Sequence, residues 1–410
     1  MDKNGKVTAP ESGNVQQENK GCEMNNDMWG KRAKFPPVKD GKSDFDLESG
    51  KFVKIWQGPQ HPGVTGNMAL ELVLSGDEVV WLRTHVGYLH RGFEKLMERR
   101  RFIQCFPIVC RICVPEPDFN EYLFAAVTEE LAGRETPERA EWPRALTLAS
   151  FFMWLGVQAG AFGQGVIGQW TVTFRDYILD LFEELSGGRV YHMYIIPGGV
   201  RDVLPDGWEG RMLDVLKRAE ELLKTIRTVL LNNAVFKSRA VGLGLITPDM
   251  IEPFGITGPN ARAAGIPRDI RKDHPYLIYD QLDFEAVTTD VSDAYNRTVV
   301  RVNEMYQSID LIRQMLARMP KKGEYHTMLP NVLHWKIPEG QTYKRAECTR
   351  GEYGYFMATD GSEFPRRVYV RGPSYTHAVA LMEHLSVGTN IADIAGMMVS
   401  LHTYPPEIER

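Results

Sequence analysis

Apolar and polar residues alternate along Phe52-Val53-Lys54-Ile55-Trp56, as a strand with one buried face requires, before Gly58-Pro59-Gln60-His61-Pro62-Gly63 turns the chain. Two further alternating runs, Met68 to Leu74 and Glu78 to Leu82, are joined through Ser75-Gly76-Asp77, which predicts a β-hairpin. From His90 the spacing becomes helical. Phe93, Leu96, Met97, Arg101 and Gln104 open a basic amphipathic helix expected to run toward Pro107, and Phe119 to Leu131 forms the next, stopped by Gly133. Pro137-Glu138-Arg139 starts a helix reaching about Gly156. Further helices are predicted over Trp170 to Leu185, Glu209 to Asn232 and Ser292 to Met319. Toward the C-terminus, Gly354 to Ala358 and Arg367 to Arg371 read as strands around Thr359-Asp360-Gly361-Ser362, followed by a helix from Thr376 to Leu385. With no internal repeat or linker, residues 51–410 are expected to be one mainly α (α+β) domain, its helical core flanked by small β-elements at both ends.

Composition narrows the picture. Residues 1–50 are polar and charged with few large apolar side chains, which predicts a disordered tail carrying one incidental thiol, Cys22. The remainder, in a chain 43% hydrophobic over 410 residues, suffices for a buried core. A net charge of −5 and the lack of any Lys/Arg tract give no reason to expect nucleic acid. The most apolar stretch, Ala145 to Gly168, is punctuated by glycine and glutamine and falls short of a membrane span. Five cysteines without a signal peptide point to free thiols in a reducing compartment.

Seven spaced motifs carry a family resemblance: Gly58-Pro59-Gln60-His61-Pro62, His85 to Lys95, Ile196 to Arg201, Thr257 to Arg262, Arg271 to Tyr276, Arg350-Gly351-Glu352-Tyr353-Gly354 and Ile391 to Ile394. Together they resemble the quinone-site subunit of respiratory complex I, the D-type subunit of NADH-quinone oxidoreductase, and its relatives among the nickel-iron hydrogenase large subunits. Arg111-Ile112-Cys113-Val114-Pro115-Glu116-Pro117-Asp118 and Pro405-Pro406-Glu407 look most like the large subunit of ferredoxin-linked, membrane-bound sulfane reductases. The implied fold is the hydrogenase large-subunit type.

The resemblance also assigns site residues. Hydrogenases bind nickel and iron through four cysteines at positions held here by Cys113, Glu116, Tyr404 and Glu407, so only one thiolate remains and no soft thiolate-bound centre is expected. These four are the expected catalytic set. Relatives in the sulfane reductase branch carry a cysteine where this chain has Tyr404. His61, Thr65, Arg111 and Val114 are expected to line the substrate cavity. In quinone-using members a histidine stands at position 65 and a tyrosine at 114; threonine lacks the imidazole, and the valine side chain offers no hydrogen-bond donor, which disfavours quinone.

Other readings of these residues stay open. Cys110 and Cys113 spell a C-x-x-C dithiol, or Cys105 and Cys110 are small buried hydrophobes. Glu116 and Glu407 carry protons, or they pair with Arg111 and Arg410. His61 serves its own turn, and His90 with Arg91 holds the helix that follows.

No cofactor is expected on the chain itself, so electrons would come from an iron-sulfur cluster on an adjacent subunit. The implied partners are that iron-sulfur protein, similar to the B-type subunit of complex I, a peripheral protein similar to its C-type subunit, membrane antiporter-like subunits and a ferredoxin- or NAD(P)H-linked donor. The implied place is the cytoplasmic side of the membrane, peripheral through the complex. The function implied is ion-pumping sulfane or polysulfide reduction, with Cys113 reachable from the cavity and faced by Tyr404. The alternatives are a rearranged quinone site and a non-catalytic scaffold beside a partner's cluster.

Overall fold

Gly76 and Asp77 turn β2 (Ala69–Ser75) back onto β3 (Glu78–His85), and β1 (Val53–Gln57) pairs with the far side of β2, giving an antiparallel sheet in the order β1-β2-β3. A computed structural model describes residues 45–61, 64, 67–158, 165–329 and 331–410, with no side chain considered in 154–158 or 165–169. Residues Asp46–Arg410 form one compact unit. Residues 1–44, Cys22 among them, and Thr65 lie outside the described residues, as does part of the Gly58 to Gly63 turn. Central strand β2 is buried from Ala69 to Leu74, and β3 leans on the helical turn Met382–Ser386, where Glu383 Oε1 accepts from both the backbone N–H and the hydroxyl of Thr84 at 2.8 Å.

The expected single helix from Phe93 to Pro107 is two: α1 (Phe93–Met97) and α2 (Phe102–Val109). Both Glu94 and Glu98 are drawn to Arg367, at 3.1 and 3.0 Å, while Arg101 turns to extended backbone and its N–H is capped by the Gln104 side chain. These tertiary ion pairs and the cap are absent from the apolar periodicity. Beyond them run α3 (Pro117–Leu131), α4 (Glu138–Gln158), α5 (Gly165–Ser186) and, after the two-residue strands β4 (Ile195–Ile196) and β5 (Gly199–Val200), α6 (Trp208–Ile226). The long helix Ala294–Arg318 packs along α4 and α6 and supplies the middle of the core.

At the other end a second antiparallel sheet, β6 (Gly340–Cys348), β7 (Gly351–Thr359) and β8 (Arg367–Arg371), lies against α3. Cys348 pairs with Gly351, so Thr349 and Arg350 form the two-residue connection between β6 and β7. Gly351 has φ +136°, and a Cβ there would meet the Thr257 side chain, so glycine lets this turn sit against Thr257-Gly258. The chain closes with the helix Ile391–Leu401, capped at its start by Asn390. Its C-terminal carbonyls, which carry the negative end of the helix dipole, receive Arg301 Nη1 on Ser400 O at 2.7 Å and Asn260 Nδ2 on Leu401 O at 3.1 Å. Among the described residues no helix is long and apolar enough to cross a membrane.

Candidate functional site

Three parts of the chain converge on Arg350. The turn between α2 and α3 brings Cys113 and Glu116; Pro117 at the first helical position starts α3 immediately after Glu116. The β6–β7 turn brings Arg350, and a 3-10 turn at Pro405–Glu407 brings Glu407. Arg350 Nη2 lies 2.9 Å from Cys113 Sγ, 3.0 Å from Glu407 Oε2 and 3.4 Å from Glu116 Oε2. All four side chains are buried. Glu116 also accepts a hydrogen bond from the Thr349 hydroxyl, and Glu407 Oε1 accepts from Ser374 N at 2.8 Å. Room for Glu407 depends on Gly372, where a Cβ would come within 2.7 Å of the glutamate side chain.

Burial sets the proton affinities. Loss of water pushes the Cys113 thiol well above its usual range, outweighing the Arg350 guanidinium beside it, so the site at rest holds a thiol. Desolvation, reinforced by Glu407 and opposed by Arg350, brings Glu116 up to about 7, where it can both hold and release a proton near neutrality. Tyr404 covers the cluster: its ring centroid is 5.5 Å from the Arg350 guanidinium, and burial raises the proton affinity of its hydroxyl. Its own backbone N–H is held by Ser374 Oγ at 2.8 Å.

The expected catalytic set, Cys113, Glu116, Tyr404 and Glu407, thus meets around one guanidinium. Cys113 itself has no exposed surface, so the open cavity expected beside it is closed, with Tyr404 as the half-buried cover. The carboxylates do form ion pairs, but with Arg350 rather than with Arg111 or Arg410. Arg111 donates to Pro107 O at 2.9 Å and lies over the Tyr191 ring at 4.6 Å. Arg410 lies over the rings of Tyr369 and Tyr375. Val114 is half-buried at the cover, whereas His61 is an exposed turn residue whose N–H donates to Gly58 O at 3.0 Å.

Cys110 does not share the Cys113 environment: its sulfur is 3.2 Å from Arg111 Nη1 and 3.6 Å from Pro107 O. His90 does more than hold the next helix. Its Nδ1 is 2.8 Å from Glu409 O, and Gly87 N donates to Glu409 Oε1 at 2.6 Å, so the His85 to Arg91 motif is a clamp for the segment that carries Tyr404 and Glu407.

Arg350, Thr349 and Cys348 were missed as site residues. The Arg350-Gly351-Glu352-Tyr353-Gly354 motif was the available signal, but only the β6–β7 turn directs that guanidinium inward. One sulfur, two carboxylates and a phenol around a guanidinium do not fit a thiolate-rich nickel-iron centre, since the positive charge between the donors is already the arginine's.

Comparison with known proteins gives one consistent result. A model of the family described as the respiratory-chain NADH dehydrogenase 49 kDa subunit matches residues 162–410. The D-type subunit of NADH-quinone oxidoreductase from Thermosipho melanesiensis is 40% identical over 372 residues, covering 87% of this chain and 99% of that protein. The D-type subunit of F(420)H(2) dehydrogenase from Methanosarcina mazei is 35% identical, covering 89% and 99%. A chain in the structure of the membrane-bound sulfane sulfur reductase, an archaeal respiratory membrane complex, superposes with a TM-score of 0.84 at 37% identity, covering 88% of this chain and 99% of that one.

Proposed function

Because the chain belongs to the family of the 49 kDa subunit of respiratory-chain NADH dehydrogenase, and is therefore an oxidoreductase subunit of the complex I-like kind, we propose that its Cys113–Arg350 site reduces a sulfur–sulfur bond. Electrons would be delivered from an iron-sulfur cluster on an adjacent protein of the B type, and ultimately from a ferredoxin- or NAD(P)H-linked donor. The observation that carries the reading is the 2.9 Å contact between Cys113 Sγ and Arg350 Nη2, buried beside the carboxylates of Glu116 and Glu407. The likeness to the sulfane sulfur reductase chain supports it.

In this mechanism the Cys113 sulfur attacks the outer sulfur of a sulfane chain, and Arg350 steadies the negative charge that develops on it. Glu116, balanced near neutrality, takes the thiol proton of Cys113 as the sulfur attacks and passes it to the departing thiolate, leaving a mixed disulfide on Cys113 that two electrons from the adjacent protein and two protons would return to the Cys113 thiol and a second released thiol. Glu407 and Ser374 fix the guanidinium, and Tyr404 keeps water from the reacting sulfurs. The chain works as a peripheral subunit on the cytoplasmic face of a membrane complex that also contains a peripheral protein of the C type. Its reaction drives ion movement through the antiporter-like partners.

A quinone acceptor is the second reading, favoured by one contact: the Tyr404 ring lies over the Arg350 guanidinium at 5.5 Å, placing a phenol at the site although position 114 carries none. The test is side-by-side anaerobic turnover of the purified complex with inorganic polysulfide and with a soluble quinone. Polysulfide-only turnover supports sulfur reduction, and quinone-only turnover refutes it.

A further inference from the structure

Thr349 and Arg350 are the two residues of the β6–β7 turn, and both side chains reach the same carboxylate. The Thr349 hydroxyl donates to Glu116 Oε1, while Arg350 Nη2 lies 3.4 Å from Oε2. All three side chains are buried. The turn has little freedom to release them, because Cys348 and Gly351 pair across it and Gly351 sits against Thr257.

The two contacts differ in kind. A guanidinium only donates, so Oε2 keeps a lone pair toward Arg350 whether or not the acid is ionised. A hydroxyl both donates and accepts. The proton of a neutral Glu116 therefore belongs on Oε1, where the Thr349 oxygen can accept it, and the Thr349 hydroxyl turns to donate once that proton has left. Besides Arg350, the charged and titratable groups acting on Glu116 are Glu407 and the thiols of Cys113 and Cys348, and burial keeps both thiols uncharged.

We propose that Thr349 is a positioning residue for the reaction, keeping the Glu116 carboxyl partnered both with and without its proton. The inference rests on the reading that Glu116 takes the Cys113 proton and passes it on. A hydrogen bond donated to a carboxylate is roughly twice as strong as one between neutral groups. Thr349 therefore favours the ionised form over the neutral one and offsets part of the desolvation that raises Glu116 to about 7. At neutral pH the group is then ready to accept a proton rather than already filled.

The experiment uses the intact complex carrying Thr349→Val, which keeps the branched side chain, Thr349→Ala, or Thr349→Ser, which keeps the hydroxyl. Thermal midpoints are measured between pH 5 and 9, and the part of the pH dependence that Glu116→Gln removes is assigned to Glu116. That decline should level off near pH 7 in the wild type. It should level off about one pH unit higher in the valine and alanine variants, with serine returning it to the wild-type position. Steady-state turnover is followed over the same range with dimethyl trisulfide, whose charge does not change with pH. Glu116 must be ionised to take the thiol proton, so the acidic limb of kcat/KM should move upward by the same amount in the valine and alanine variants. An unmoved levelling point in both variants overturns the role of Thr349. A shifted levelling point with an unmoved acidic limb overturns the reading that Glu116 carries the proton, and the catalytic part of this inference with it.

Discussion

Arg350 Nη2 reaches Glu407 Oε2 across 3.0 Å, joining the β6–β7 turn to the C-terminal 3-10 turn at a point where neither side chain touches solvent. A guanidinium so placed must neutralise two carboxylates as well as face a sulfur. Arg350→Met leaves Glu116 and Glu407 buried without a counter-charge and should destabilise the fold by about 3–5 kcal/mol. Adding Glu407→Gln should recover part of that loss, because one of the stranded charges is then gone. Chemical denaturation of the assembled complex checks both variants, and unchanged midpoints would contradict the pairing.

Glu116 gives a pH dependence of defined sign. Its folded-state pKa is raised to about 7 from 4.5, chiefly by desolvation, so between these values the folded chain keeps a proton that the unfolded chain releases. Stability from this group is therefore greatest below about 4.5, falls as pH rises, and is lost by about 7. Glu116→Gln should flatten the decline, measured as thermal midpoints of the complex between pH 5 and 8.

Tyr404→Phe keeps a ring above Arg350 and removes a hydroxyl whose proton affinity burial has raised. The stability cost should be small, within about 1 kcal/mol, because the ring contact with Arg350 is kept. Polysulfide turnover should stay within a few-fold of wild type, because the ring and not the hydroxyl excludes water. Selective loss of quinone turnover would favour the second reading.

Glu409→Gln replaces a carboxylate clamped by Gly87 N with a neutral amide. Charge-assisted hydrogen bonds are worth roughly twice neutral ones. The expected result is faster hydrogen exchange or proteolysis at residues 403–410, with thermal stability lowered but the fold kept.

Much of the fold was legible where the apolar period was strong. The turn at Gly76-Asp77 and the helices around Phe119 to Leu131 and Ser292 to Met319 follow the pattern with small shifts at their ends. Strand β6 was not legible, because Gly340 to Lys344 alternates between half-buried and exposed residues with little apolar content. That omission hid the site's centre: without β6, nothing assigns Arg350 to a tight turn or brings Thr349 beside Glu116. The break between α1 and α2 was hidden for a related reason, since Glu94 and Glu98 look like the solvent face of one helix until Arg367 arrives from β8. The family motifs pointed to Cys113, Glu116, Tyr404 and Glu407, which meet in space, but the positive charge holding three of them comes from Arg350, in a motif that carried the resemblance without being read as part of the site.

The most direct measurement is steady-state reduction of inorganic polysulfide by the intact complex carrying Cys113→Ser, compared with Cys110→Ser. The Cys113 sulfur faces Arg350 at 2.9 Å, whereas the Cys110 sulfur faces Arg111 and a backbone carbonyl. Serine at 113 should therefore abolish most turnover, by roughly a hundredfold or more, while leaving assembly intact, and serine at 110 should leave the rate within a few-fold of wild type. Near wild-type rates for both variants would contradict a reacting role for Cys113 and leave the chain as a scaffold beside its partner's cluster. Severe loss in both would point instead to a dithiol formed by Cys110 and Cys113.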